Sequence, residues 1–242
     1  VCVLTSGVSG NVNIAAALTE RRFSMWGCEL DHLVVTSPSL NDGVAIVEKA
    51  LGVPMSAGGQ HVRMGTHNAL MRIGERCYLE VIAIDPDAAP INRPRWFGLD
   101  GLTNSSATTL ATWVLRTSEI RATSIAAGNA FGEICPMSRG TLNWLITIPP
   151  DGRLQASGLL PSLIQWEGET HPAEKLPDRG IRLQVLRLIH PEAATLQAAL
   201  QTGGLRNDSK VIEFQAGPEP KMMAEFQTAC GTHRVLESVS CG

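Results

Sequence analysis

The 242-residue sequence contains no G-x-G, so the glycine loop that cradles a dinucleotide pyrophosphate is missing. Gly203-Gly204 follows a helical pattern instead of opening one, and no P-loop occurs. Gly7-Val8-Ser9-Gly10 lacks the spacing of a nucleophile elbow, and no convincing Ser-His-Asp order is present. No apolar run is long enough to span a bilayer, so no membrane partner is expected. The opening residues lack the charged start and apolar core of a secretory signal. None of the six cysteines, Cys2, Cys28, Cys77, Cys135, Cys230 and Cys241, falls in a C-x-x-C pair, which argues against a zinc finger or a disulfide framework. Cys77 and Cys135 sit in apolar contexts and read as buried thiols, and a reducing, cytoplasmic location is the expectation. The net charge of −3 supplies no basic field for nucleic acid. What is left, 44% apolar and 18% charged, is an ordinary globular composition with enough chain for a sizeable core.

The informative stretch runs from Leu30 to Asp85. Leu30 to Val35 is short, apolar and β-branched at its end, which predicts a strand with Leu30, His32 and Val34 on one face. Ser39 followed by Asp42 fits a helix start, Leu40, Val44, Val47 and Leu51 recur at helical spacing, and Gly52 is placed to end the helix. Strands are expected over Gln60 to Met64, Thr66 to Ile73 and Cys77 to Ile84. On the last, Tyr78, Glu80, Ile82 and Ile84 share a face. Glu80 is thus a carboxylate within an apolar strand, and His32 sits between Leu30 and Val34 on its own face. A buried charge is costly unless paired or metal-bound. The two therefore read either as a hydrogen-bonded buried pair or as a functional pair, and imidazole nitrogen with carboxylate oxygen suits a divalent metal.

The same order of elements recurs. Leu110 to Arg116, a helix over Ser118 to Ala127, then Glu133 to Met137, Leu142 to Ile148 and Leu159 to Trp166 form a second unit, with a turn at Pro149 to Gly152. Ile181 to Ile189, a helix over Pro191 to Thr202, and strands over Lys210 to Phe214, Lys221 to Ala229 and Thr232 to Val239 form a third. The expected division is an N-terminal extension (1–28, with a short helix near Ile14 to Glu20), a first module and connector (29–106), a second module (107–172) and a third module-like unit (173–242). In the connector, Arg93 and Arg95 flank the aromatic pair Trp96-Phe97, which serves either as a pocket wall facing an anionic substrate or as an anchor on the sheet.

Leu-Asp-His at 30–32, Gly-Thr-His-Asn at 65–68, Tyr-Leu-Glu at 78–80 and Arg-Trp-Phe-Gly-Leu at 95–99 together resemble the vicinal-oxygen-chelate superfamily, in its glyoxalase-like branch. The resemblance implies an α+β fold of repeated βαβββ modules that form a cupped, partly open mixed sheet with helices outside. It also implies a divalent ion (Zn, Ni, Mn or Fe) held by His32 on a first strand and Glu80 on a fourth, both of them catalytic. Laid over the first module by strand order, the second puts Gln165 in the place of Glu80 and offers Thr112, Trp113 and Val114 near the place of His32, with no histidine. A complete two-module ligand set is therefore not expected. His67, Asn68, Trp96, Gln165, Trp166 and His171 are the candidate substrate contacts, with His61 a further histidine near the first sheet. The implied function is a metalloenzyme acting on a small molecule with adjacent oxygens, with isomerase, lyase and dioxygenase chemistry all open. The alternative is a metal-free ligand-binding or resistance protein on the same scaffold. The first two modules are expected to build the cup, with the third packing beside it or pairing across a homodimer.

Overall fold

The computed structural model describes residues 27–168, 170–206 and 210–238. The expected helix near Ile14 to Glu20 lies outside these described residues. The first unit is β1 (Glu29–Thr36), α1 (Leu40–Leu51), β2 (Ser56–His61), β3 (Thr66–Gly74) and β4 (Cys77–Ile84). The second is β5 (Thr109–Arg116), α2 (Ile120–Ala126), β6 (Glu133–Arg139), β7 (Leu142–Ile148) and β8 (Ser162–Trp166). The third is β9 (Arg182–His190), α3 (Ala193–Thr202), β10 (Ile212–Ala216), β11 (Lys221–Gln227) and β12 (His233–Glu237).

Local chemistry explains most of the boundaries. The Ser39 side chain accepts from the Asp42 N–H, and Gly52 closes α1 in the left-handed region. The strand expected to run to Met64 ends at His61, where Val62–Met64 turns into a single 3₁₀ turn closed by Gly65 at φ 58°. The strand expected from Leu159 begins at Ser162, because Gln155–Gly158 is a kinked 3₁₀ segment and Pro161 has no N–H to give a ladder.

The first two units merge into one eight-stranded sheet of order β2-β3-β4-β1-β5-β8-β7-β6. β1 lies parallel to β4 and antiparallel to β5, so the two units meet at the centre of the sheet. The sheet curls until its edges approach: Arg63, just beyond β2, donates to the Pro136 carbonyl of β6 at 2.5 Å. Alternation then sends one set of side chains into the cup and the other to the convex back. Val34, Ile82, Val114 and Ile164 belong to the cluster inside the cup. Leu33, Val35, Leu79, Val81, Trp113 and Leu163 belong to the cluster behind it.

The third unit repeats the order of elements but not their pairing. Its sheet runs β10-β9-β11-β12, with the unit's first strand between its second and third. In the first two units the first strand instead pairs with the fourth. This sheet backs the cup: Leu186, Leu188, Met222, Ala224 and Phe226 join the cluster of Leu33, Leu79 and Trp113. The third unit thus packs on the convex face within the same chain.

Candidate active site

The site begins with an irregularity in β1. The pairing with β5 shifts register between Leu30 and His32, leaving Asp31 as an extra residue. Such a bulge re-aims a side chain that strict alternation would send to the other face. The Asp31 carboxylate is fully buried and takes three hydrogen bonds. His32 Nδ1 donates at 2.6 Å, His171 Nε2 at 2.9 Å and Trp166 Nε1 at 3.0 Å. Burial alone would raise this carboxyl. The hydrogen bonds from His171 and His32 outweigh it and hold the group well below the usual carboxylate range.

These bonds settle the histidine tautomers. The Ala173 N–H donates to His171 Nδ1, so that ring carries its proton on Nε2, toward Asp31. His32 gives its Nδ1 proton to Asp31 and turns Nε2 toward Glu80, whose Oε2 lies 3.6 Å away. Tyr78 stacks flat on the His32 ring at 4.4 Å and fixes its plane.

Glu80 is held on its far side. Asn68 Nδ2 donates to its Oε1 at 2.5 Å. The Asn68 Oδ1 accepts in turn from the Gly59 N–H at 2.9 Å and from Arg139 Nη1 at 3.0 Å. Gly58 and Gly59 make this arrangement possible. A Cβ on Gly58 would fall 2.0 Å from Asn68 Oδ1, and one on Gly59 would fall 2.8 Å from Arg139 Cδ. His61 completes the corner, its Nε2 accepting from Arg139 at 3.4 Å and its Nδ1 facing Thr66 Oγ1 at 3.2 Å. Burial, reinforced by the Arg139 charge, pulls its pKa down from 6.5 to about 3, so it is neutral at ordinary pH.

The walls are aromatic and aliphatic. Trp96, Phe97, Trp144, Ile146, Ile164 and Trp166 line a cleft above His32 and Glu80. Trp96 stands edge-on to His61, and among the described residues its buried indole N–H has no hydrogen-bond partner. Phe97, behind it, holds a left-handed φ of 57°, a strained value for a bulky residue.

His32 and Glu80 fit two ligands of a divalent ion. Each presents an unshared atom to the other, and each is oriented on its far side by a hydrogen bond, as metal-bound His and carboxylate side chains are. Among the described residues no group of three or more His, Cys, Asp and Glu is placed to hold a metal. The second unit lines the cup with Ile164 in place of a ligand. Further ligands would have to come from water or substrate oxygens.

The structure gathers His32, Glu80, Asn68, Trp96 and Trp166 around one space, with His171 fully buried behind Asp31. Three sequence expectations need correction. His171 is fully buried with both ring nitrogens engaged, so it supports Asp31 and does not line the cup. Gln165 points out of the back of β8 and accepts from the Ile120 N–H at the start of α2 (2.9 Å), while Ile164 and Trp166 face the cup. His67 alternates with Asn68 on β3 and shares its face with Met71 and Ile73, which pack behind the sheet. Asp31 and Arg139 were not anticipated. The Leu-Asp-His phrase contained the signal for Asp31, a charge flanked by apolar residues on a buried strand. For Arg139, next to a turn glycine, the sequence offered none.

A curled sheet of two strand–helix–three-strand halves, with an imidazole and a carboxylate facing one another inside it, defines a cupped α+β fold. The glyoxalase-like domain family matches residues 30–203, and the chain belongs to that family. Its motifs at 30–32, 65–68, 78–80 and 95–99 are those that resemble the vicinal-oxygen-chelate superfamily. A solved hypothetical protein from Staphylococcus aureus is similar over 73% of this chain and 74% of its own, at 15% identity and a TM-score of 0.51. The Streptomyces coelicolor methylmalonyl-CoA epimerase in complex with 2-nitronate-propionyl-CoA is similar over 60% of this chain and 98% of its own, at 14% identity and a TM-score of 0.41. The Mycobacterium tuberculosis methylmalonyl-CoA epimerase covers 58% and 88%, at 15% identity and a TM-score of 0.37. At such identities the likeness is one of fold. No curated protein matches the chain.

Proposed function

We propose that the cup is the active site of a small-molecule enzyme that moves a proton on a carbon next to a carbonyl, in a substrate with two adjacent oxygens. The observation behind this reading is the facing of His32 Nε2 and Glu80 Oε2 at 3.6 Å. Asp31 is ionised and accepts a hydrogen bond from His32 Nδ1–H, so Nε2 and Oε2 face one another as acceptors unless something positive lies between them. The pair is built to hold a positive charge, and a proton is the simplest one.

In the step we propose, Glu80 Oε2 takes the proton. The C–H bond breaks, its electron pair moves into the adjacent carbonyl, and the oxygen becomes an enolate. Return of the proton to the same carbon, on either face, closes the cycle with no other reactant. His32 relays the proton, and Asp31 stabilises the imidazolium that forms while fixing the tautomer. Asn68 keeps Oε2 turned inward by holding Oε1. The aromatic walls exclude water. His32 and Glu80 are also the residues that would hold a divalent ion (Zn, Ni, Mn or Fe), which when bound supplies Lewis acidity to the two substrate oxygens.

The test is proton exchange. Hydroxyacetone, glyceraldehyde and 2-oxobutyrate in D₂O, followed by proton NMR, are expected to lose a carbon-bound proton signal with the wild-type protein present. Metal analysis of the same preparation shows whether an ion accompanies the activity. A second reading, a ligand-sequestering protein without turnover, draws on the apolar second half of the cup. Ligand-induced thermal stabilisation with no exchange in any compound would select it and reject the enzyme.

A further inference from the structure

We infer that Arg139 is a carboxylate-binding residue and that the substrate is a 2-oxo acid, an assignment that rests on the proton-transfer reading and narrows it. Arg139 reaches into the cup from the end of β6 and lines the same space as His32 and Glu80. Its surroundings differ from those of the ion-paired arginines. Arg76 pairs with Glu174, Arg95 with Asp100, Arg116 with Glu29, Arg182 with Asp178, and Arg187 with Glu213 and Glu225. Among the described residues no carboxylate lies within ion-pairing distance of Arg139. Its Nη1 is held by Asn68 Oδ1 and by the neutral His61, both uncharged acceptors. One corner of the guanidinium is thereby fixed, and the remaining N–H groups carry an uncompensated charge at the wall of an aromatic cup. A fixed guanidinium edge matches two carboxylate oxygens in geometry as well as charge.

The second observation is Trp96, which lines the same wall and whose buried N–H has no partner among the described residues. A buried donor left unmade is costly, and an oxygen-rich ligand is what would satisfy it. The spacing then selects the compound. Asn68 bonds Glu80 through its nitrogen and Arg139 through its oxygen, so the acid–base group and the guanidinium sit at the two ends of one amide. A molecule with its carboxylate on Arg139 brings the next atoms along its chain to Glu80 and His32. In a 2-oxo acid those atoms are the keto group and the carbon whose proton is acidic. The keto oxygen and a carboxylate oxygen are its two adjacent oxygens.

Tryptophan fluorescence titration with 2-oxobutyrate and with its neutral methyl ester tests the assignment, alongside proton exchange at C3 in D₂O. The wild-type protein is expected to bind the acid about tenfold or more tighter than the ester. Arg139→Gln is expected to lose that preference, and Arg139→Lys to retain part of it. Glu80→Gln is expected to bind the acid at least as tightly as wild type while losing exchange. Equal binding of acid and ester, no binding of either, or unchanged acid binding in Arg139→Gln overturns the carboxylate site. Exchange that survives in Glu80→Gln while Arg139→Gln abolishes binding overturns the proton-transfer reading and leaves the carboxylate site standing. Should Arg139→Gln fail to fold, the acid-to-ester ratio of the wild-type protein decides by itself.

Discussion

The two halves of the cup share an architecture and divide the chemistry. In the first half, β1 to β4 carry Asp31, His32, His61, Asn68 and Glu80 in one connected polar network. In the second half, the equivalent strands present Val114, Trp144, Ile146, Ile164 and Trp166, with Arg139 the one charged side chain. Pairing of backbones requires only that side chains alternate, so either half could have been the polar one. Concentrating the polar groups in one half lets His32, Asp31, Glu80 and Asn68 hold one another locally, with Trp166 and Arg139 reaching across to them. The other half is then free to supply a dry wall, against which charges act more strongly.

That division can be broken from the polar side. Glu80→Gln and His32→Gln are expected to reduce proton exchange by about two to four orders of magnitude, as removal of an acid–base group does, with circular dichroism showing the fold retained. Equal loss on Ile164→Ala would instead show that both halves carry the chemistry. Asp31→Asn is next in size. An amide in that place turns donors toward His32, Trp166 or His171, all of which already donate to it. The expected cost is about 3 kcal/mol in chemical denaturation, with exchange impaired in proportion to the misplaced His32 tautomer.

Acid titration sharpens the same contrast. His61 has its pKa depressed from 6.5 to about 3, so below 6.5 the unfolded chain binds a proton that the folded protein refuses. Stability is full above that pH and is expected to fall by about 1.4 kcal/mol per pH unit on the way down from it. Asp31 adds a further loss below about pH 4, because its contribution is present only while the carboxyl stays ionised. Denaturation midpoints measured from pH 7 to pH 4 would show the slope, and His61→Gln should flatten it between pH 6.5 and 4. The smallest effect belongs to the back of the second half. Gln165→Ala removes only the bond to the Ile120 N–H and is expected to cost about 1 kcal/mol, leaving exchange unchanged.

Much of the first half was legible in the chain. An imidazole and a carboxylate at alternating positions of two apolar strands have few places to go except into the same interior, and β1 does lie beside β4. What was hidden depended on single-residue offsets. Reading β8 from Leu159 aligns Gln165 with Glu80, but the strand starts at Ser162, and an offset of one residue exchanges the two faces. The same parity put His67 behind the sheet. A bulge inserts one residue without altering composition or period, so nothing announced that Asp31 would join His32. Arg139 reaches the site only because the sheet curls until β6 approaches β2, a property of the whole sheet and of no local pattern. The third unit showed the right elements in the right order, yet pairing is decided by what its sheet must cover.

That cover has a consequence for anyone handling the protein in pieces. Trp113, Leu79 and Leu33 on the convex wall are dry because Phe226, Met222 and Leu188 lie over them. A fragment ending after Lys175 would keep every residue of the cup, with His171 behind Asp31, and expose a broad greasy surface to water. It would clump before it could be assayed, and silence from such a fragment would report on solubility alone.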